Sequence, residues 1–123
     1  MAIEFEETDF EVSDWKITYG YCSALEYDIE GETATVHSIN ASPGGCGIGR
    51  ALCQKFEKMA TDTGCNFAIV PSSLTAETVG FWVAMGYDVE NKRDRRRMKK
   101  IMDDNYDLDN DMQGVIVLAK KLI

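Results

Sequence analysis

Apolar and polar positions alternate along the first third of the chain. Ile3 and Phe5 are set between acids over residues 2–6. Trp15, Ile17, Tyr19 and Tyr21, then Leu25, Tyr27 and Ile29, mark a second stretch over 15–29. A period of two is the mark of a half-buried strand, and 15–29 reads as one long strand or as two. Glu30-Gly31-Glu32 supplies a turn, and the β-branched run Thr33–Ala41 predicts the next strand. Pro43 ends it, since proline cannot donate to a ladder. The period then changes. Ile48, Leu52, Phe56, Met59 and Ala60 recur at three- and four-residue spacing, predicting a helix over about 48–63 closed by Gly64. Phe67-Ala68-Ile69-Val70 is a continuous apolar run, as in a strand buried on both faces. A second helix is expected over 76–85, with Ser73 or Thr75 as its cap, Glu77 in its first turn and Gly86 at its end. Tyr87–Glu90 resumes as strand, and Gly114–Leu118 is the last strand. Between them lie a basic run, 92–100, and an acidic run, 103–111, expected as an excursion that is part helix and part loop.

Length and charge narrow the classes. At 123 residues the chain fits one domain, 1–123. No apolar run approaches the roughly 18 residues a membrane helix needs. The acidic start lacks the look of a signal peptide, so a cytoplasmic location is expected. The net charge of −8 weighs against nucleic-acid binding, which wants a basic surface. Cys22, Cys46, Cys53 and Cys65 form no C-x-x-C pair, and one histidine, His37, cannot complete a usual zinc set. Free thiols and no metal are the expectation.

The chemistry concentrates in Gly44-Gly45-Cys46-Gly47-Ile48-Gly49, between a strand and a helix. A helix N-terminus presents unpaired N–H groups and a partial positive charge, and glycine lets the backbone come close to an anion. Together these suit a diphosphate. The spacing is neither G-x-G-x-x-G nor G-x-x-x-x-G-K-[ST]. Read in isolation, the loop is either such a cradle or a tight turn packing a helix on a sheet.

The order strand, glycine loop, helix, strand, helix, strand resembles the GNAT superfamily of N-acetyltransferases, whose signature Q/R-x-x-G-x-G/A opens a helix. A second shared feature is the aromatic stretch Phe81-Trp82-Val83-Ala84-Met85-Gly86-Tyr87. The resemblance covers residues 33–90 and, more loosely, the final strand. It implies an α/β (α+β) fold: a mixed, centrally splayed β-sheet with helices packed on it. It implies acetyl-CoA as co-substrate, with Gly44, Gly45, Cys46, Gly47, Ile48, Gly49 and Arg50 around the diphosphate. Backbone groups near Ile39 and Ala41 would pair with the pantetheine arm. An amine would attack the thioester directly, in a ternary complex.

Three departures from the family pattern stand out. Gly44 replaces the usual Gln or Arg. Trp82 occupies the position of the tyrosine that protonates the leaving thiolate, and an indole is no useful acid. The short segment before residue 33 leaves no room for the two helices that usually wall the acceptor site. That site is therefore expected to be open or completed by a second copy of the chain, as in a homodimer. Tyr87 is a substitute acid or a core aromatic. His37, on the strand before the loop and on one face with Ile39 by simple alternation, is a base or a structural histidine. Glu26 and Glu32 are the other base candidates, or solvated strand-face acids. The acceptor is expected to be an amine: a protein lysine, a peptide N-terminus or a small molecule. The competing function is a catalytically inactive acyl-CoA-binding or interaction domain.

Overall fold

The structure, a computed structural model, describes residues 9–41, 47–72, 76–104 and 116–122. Its elements are β1 (Phe10–Val12), β2 (Lys16–Tyr19), β3 (Ser23–Glu30), β4 (Thr33–Asn40), α1 (Ile48–Asp62), β5 (Phe67–Ser72), α2 (Ala76–Ala84), α3 (Lys92–Asp104) and β6 (Ile116–Lys121). The six strands form one mixed sheet in sequence order. Strands β1 to β4 are antiparallel neighbours. The N–H groups of Asn66 and Phe67 donate to the carbonyl of Glu32, so β5 starts beside the start of β4 and runs parallel to it. The Leu122 N–H donates to the Asn66 carbonyl at 2.8 Å, so β6 returns antiparallel. The α/β fold class expected from the sequence is the one observed.

The chain forms two compact units, divided within β5 after Ala68, with residue 122 in the first. In the first, α1 packs on β2, β3 and β4. Its side chains Ile48, Leu52, Phe56 and Ala60, at helical spacing, meet Ile17, Leu25, Tyr27, Ala34 and Val36 of the sheet, and all are buried. The Tyr27 and Phe56 rings lie 5.9 Å apart, tilted at 54°. The Tyr27 hydroxyl donates to the Ser13 carbonyl, so the buried phenol is satisfied.

Burial pushes the Tyr27 hydroxyl above its ordinary value of 10.0, with the Asp14 carboxylate adding to the effect. Burial likewise raises the Cys65 thiol above 9.0. Both groups ionise first in the unfolded chain. Stability is therefore full below about pH 9 and falls as pH rises through the raised folded values. Urea midpoints at pH 8 and pH 10 test this, and an unchanged midpoint counts against it.

In the second unit α2 packs on α3, and α3 on β6. Trp82 stacks edge-on against Phe81, with centroids 4.9 Å apart, and against Tyr87 at 5.1 Å. Val79, Trp82, Tyr87, Val89, Ile116 and Leu118 form its core. Helix α2 ends where the sequence places Gly86, at φ 97°.

Several expectations are resolved or corrected. Of the two readings of residues 15–29, one long strand or two, the structure shows two, β2 and β3, parted at Gly20. Strand β5 alternates between exposed and buried, with Phe67 exposed, so it is not buried on both faces. Tyr87–Glu90 makes only an isolated bridge, Asp88 to Ala119, with N–H to carbonyl distances of 3.0 and 2.8 Å. The basic run forms the helical part of the expected excursion, from Lys92. Strand β1 was unforeseen. The expected strand over 2–6, the caps Ser73 and Thr75, and most of the acidic run lie outside the described residues.

Candidate functional site

Helix α1 begins without a side-chain cap. Gly47 is its N-cap in the left-handed conformation, φ 84° and ψ 6°. The first intrahelical bond runs from the Ala51 N–H to the Gly47 carbonyl at 3.0 Å. The N–H groups of Ile48, Gly49 and Arg50 precede that bond and have no partner within the helix. No acid stands in the first turn. Gly47 and the side chain of Arg50 are exposed, Gly49 is half-buried, and Ile48 points into the core and anchors the turn. A glycine cap, free amide donors, the positive end of a fifteen-residue helix and a nearby guanidinium are what an anion such as a diphosphate requires. The residues present thus fit the pyrophosphate of coenzyme A. Gly44, Gly45 and Cys46 of the same loop lie outside the described residues.

Strand β4 leads toward this turn, with Ile39 half-buried and in register with Leu25, and Ala41 half-buried just past its end. Its pairing with β3 shifts register. Glu26 faces Ser38 while Tyr27 faces Val36, so His37 is an extra residue without a register partner. This is a β-bulge. The inserted residue breaks the period of two. The expectation that His37 and Ile39 share a face by simple alternation is therefore corrected. The imidazole is exposed and makes no hydrogen bond among the described residues. Glu26 is half-buried on β3, one register step from the bulge and flanked on its other side by Lys16 of β2. Strand pairing thus brings His37 and Glu26 into one neighbourhood. Apolar positions 34, 36 and 39, spaced two and then three apart, are the trace the bulge leaves once the register is known.

Tyr87 lies in the core of the second unit, only 2% exposed, with its ring edge-on to Trp82 and the Lys120 ammonium 5.7 Å from its centroid. Trp82 is equally buried. Among the described residues no three His, Cys, Asp or Glu side chains gather as a metal site would need. No described helix is long and apolar enough to cross a membrane. Cys22 is exposed, Cys53 and Cys65 are buried, and none of the three is in a disulfide among the described residues.

No protein-family model matches the sequence, and no curated protein matches it by comparison of sequences. Solved structures do match. A GNAT-family protein from Desulfovibrio desulfuricans superposes with a TM-score of 0.64 at 16% identity, over 88% of this chain and 68% of that one. The ribosomal-protein-S18-alanine N-acetyltransferase of Escherichia coli gives 0.63 at 14% identity, over 91% and 72%. The PaiA N-acetyltransferase of Thermoplasma acidophilum, in complex with coenzyme A, gives 0.54 at 16% identity, over 81% of this chain. The chain spans only 53% of that last protein's length. The fold of this chain is that of the GNAT N-acetyltransferases, as the glycine loop and the aromatic stretch implied.

Proposed function

We propose that this chain is an N-acetyltransferase that binds acetyl-CoA at the N-terminus of α1 and transfers the acetyl group to an amine. The observation that carries the proposal is the uncapped, acid-free first turn of α1 behind the left-handed Gly47, in a fold that coenzyme A complexes share. The bound co-substrate supplies a thioester activated toward amines. The protein's part is to hold and orient it. The amides of Ile48, Gly49 and Arg50 bind the diphosphate, together with the loop residues Gly44, Gly45 and Cys46. The backbone at Ile39 and Ala41 aligns the pantetheine arm. His37 takes the proton from the acceptor amine, with Glu26 as the alternative base. Deprotonation and positioning are the tasks such a site must perform.

Calorimetric titration with acetyl-CoA tests binding, and mass spectrometry of candidate proteins and amines after incubation tests transfer. His37→Ala is expected to lower kcat about hundredfold, the lower end for a general base, with acetyl-CoA affinity unchanged. The loss should shrink at alkaline pH, where the amine sheds its proton unaided. A change below about threefold at neutral pH removes His37 from the role and passes it to Glu26.

A second reading has a specific observation in its favour. Trp82 is buried where the family has its acid, which suits a domain that binds acyl-CoA without turning it over. Release of free thiol in the presence of an amine panel separates the two. Tyr87, set in the core beside Trp82, would need its hydroxyl to reach the leaving sulfur to serve as acid. Tyr87→Phe with undiminished turnover would remove it from that role.

Cys46 gives a footprint of the co-substrate. It directly precedes the N-cap of α1, and helix N-termini stabilise thiolates. Iodoacetamide should label Cys46 and the exposed Cys22, and spare the buried Cys53 and Cys65. Saturating acetyl-CoA should protect Cys46 alone. Equal labelling of Cys46 with and without the co-substrate would displace it from this loop.

A further inference from the structure

Helix α3 is built in a way its own stability does not explain. Its N-terminus is well formed. Asn91 accepts from the Asp94 N–H at 2.8 Å, and its amide donates back to the Asp94 carboxylate at 3.0 Å. Asp94 is buried and pairs with Arg97 at 3.2 Å, and Arg95 bonds the Val89 carbonyl and lies 3.5 Å from Asp88. These contacts account for Asp94, Arg95 and Arg97. Four other cations have no such account. Lys92, Arg93, Arg96 and Lys99 are exposed and make no hydrogen bond or ion pair among the described residues. Seven of the chain's thirteen cations fall within 92–100. Pairs such as Lys92–Arg96, Arg95–Lys99 and Arg96–Lys99 set like charges three and four residues apart, which destabilises a helix. Lys92 and Arg93 also sit in the first turn, where the helix dipole disfavours cations. An acidic protein has thus placed over half of its positive charge on one helix, against local preference.

The exposed cations have a defined geometry. Lys92, Arg95, Arg96 and Lys99 line a shallow trough of about 260 Å³. Its length, the seven steps of helix from Lys92 to Lys99, is about 10 Å at ~1.5 Å per residue. Alternate side chains of an extended peptide are about 6.6 Å apart, so two or three carboxylates match the trough. We propose that this trough on α3 docks an extended acidic polypeptide segment, rich in Glu or Asp. A nucleic acid fits less well. Helix α3 offers no aromatic side chain for bases to stack on. Docking would relieve the like-charge repulsion that the helix carries when free.

The proposal goes beyond acetyl transfer and is tested without acetyl-CoA, so the failure of either leaves the other standing. The full chain is titrated, at low ionic strength, into a fluorescein-labelled peptide of eight glutamates, and the anisotropy is followed. Eight glutamines and an oligothymidylate of eight nucleotides serve as comparison probes. The glutamate peptide should bind, the glutamine peptide should not, and the oligonucleotide should bind more weakly than the acidic peptide. The triple variant Lys92→Gln, Arg96→Gln, Lys99→Gln keeps good helix formers and removes repulsion, so circular dichroism should show it folded. Its affinity for the glutamate peptide should fall about tenfold or more. Lys121→Gln, an exposed cation on β6, should leave the affinity unchanged. No binding of the glutamate peptide, equal binding by the triple variant, or tighter binding of the oligonucleotide would each overturn the proposal.

Discussion

Gly47→Val is expected to abolish detectable coenzyme A binding in a chain that still folds. Gly47 holds φ 84° at the N-cap of α1. An L-residue in this left-handed region costs about 1–2 kcal/mol, and a β-branched residue fits it worst. Valine there would pull the backbone out of the left-handed conformation and turn the first amides of the helix away from a common focus. A charge-assisted hydrogen bond is worth about 1.5–3 kcal/mol. Losing two to the diphosphate would weaken binding by about 3–6 kcal/mol, on the order of a hundredfold to ten-thousandfold. The fold should survive because the anchor of the turn, Ile48, and the rest of the buried face of α1 are untouched. Its melting point should drop by several degrees, in line with about 4–8 °C per kcal/mol for a small domain. Gly47→Asn is the informative companion, since asparagine tolerates the left-handed region. It should retain most of the affinity. Calorimetry on the three proteins decides the matter. Undiminished affinity in the valine variant would move the diphosphate away from α1.

The fold was legible where one periodicity dominated. Helix α1 and strand β4 appear within a residue or two of their expected ends, because each presents one buried stripe and each is bounded by Gly, Pro or a tight turn. The glycine loop was legible because glycine is the residue that best meets the left-handed backbone demand at Gly47. The bulge at His37 was not. A bulge shifts the alternation by one residue, and its trace, Ala34 and Val36 followed by Ile39, shows only once the pairing with Leu25 and Tyr27 is known. Helix α3 was half-legible. Its charge hid a helix whose start is held by polar contacts of Asn91, Asp94, Arg95 and Arg97. The Asn91-x-x-Asp94 pair was the available cue, as a capping box that starts a helix. Tyr87 was read with two alternatives, and its place in the core follows from the aromatic cluster with Phe81 and Trp82, which no spacing in the sequence encodes.

That cluster carries the other large effect. Trp82→Ala is expected to cost about 3–5 kcal/mol of stability, the range for removing a large buried aromatic. Trp82 is 2% exposed and lies edge-on to both Phe81 and Tyr87. Its loss therefore opens a cavity and removes two ring contacts, each worth about 0.5–1.5 kcal/mol beyond area burial. With total stabilities of about 5–15 kcal/mol typical of domains, the variant should be largely unfolded at elevated temperature. Its urea midpoint should fall in proportion. Trp82→Phe should cost far less. The phenyl ring keeps the stacking, and the indole N–H makes no hydrogen bond among the described residues that would be lost. The pair also separates packing from chemistry. An indole cannot serve as a general acid near neutral pH, so the phenylalanine variant should change turnover by less than about tenfold, or ~1.4 kcal/mol of barrier. A larger rate loss in a folded variant that still binds coenzyme A would give the indole N–H a place in the reaction. A cost below about 1 kcal/mol in the alanine variant would mean that the cluster does not hold the second unit together.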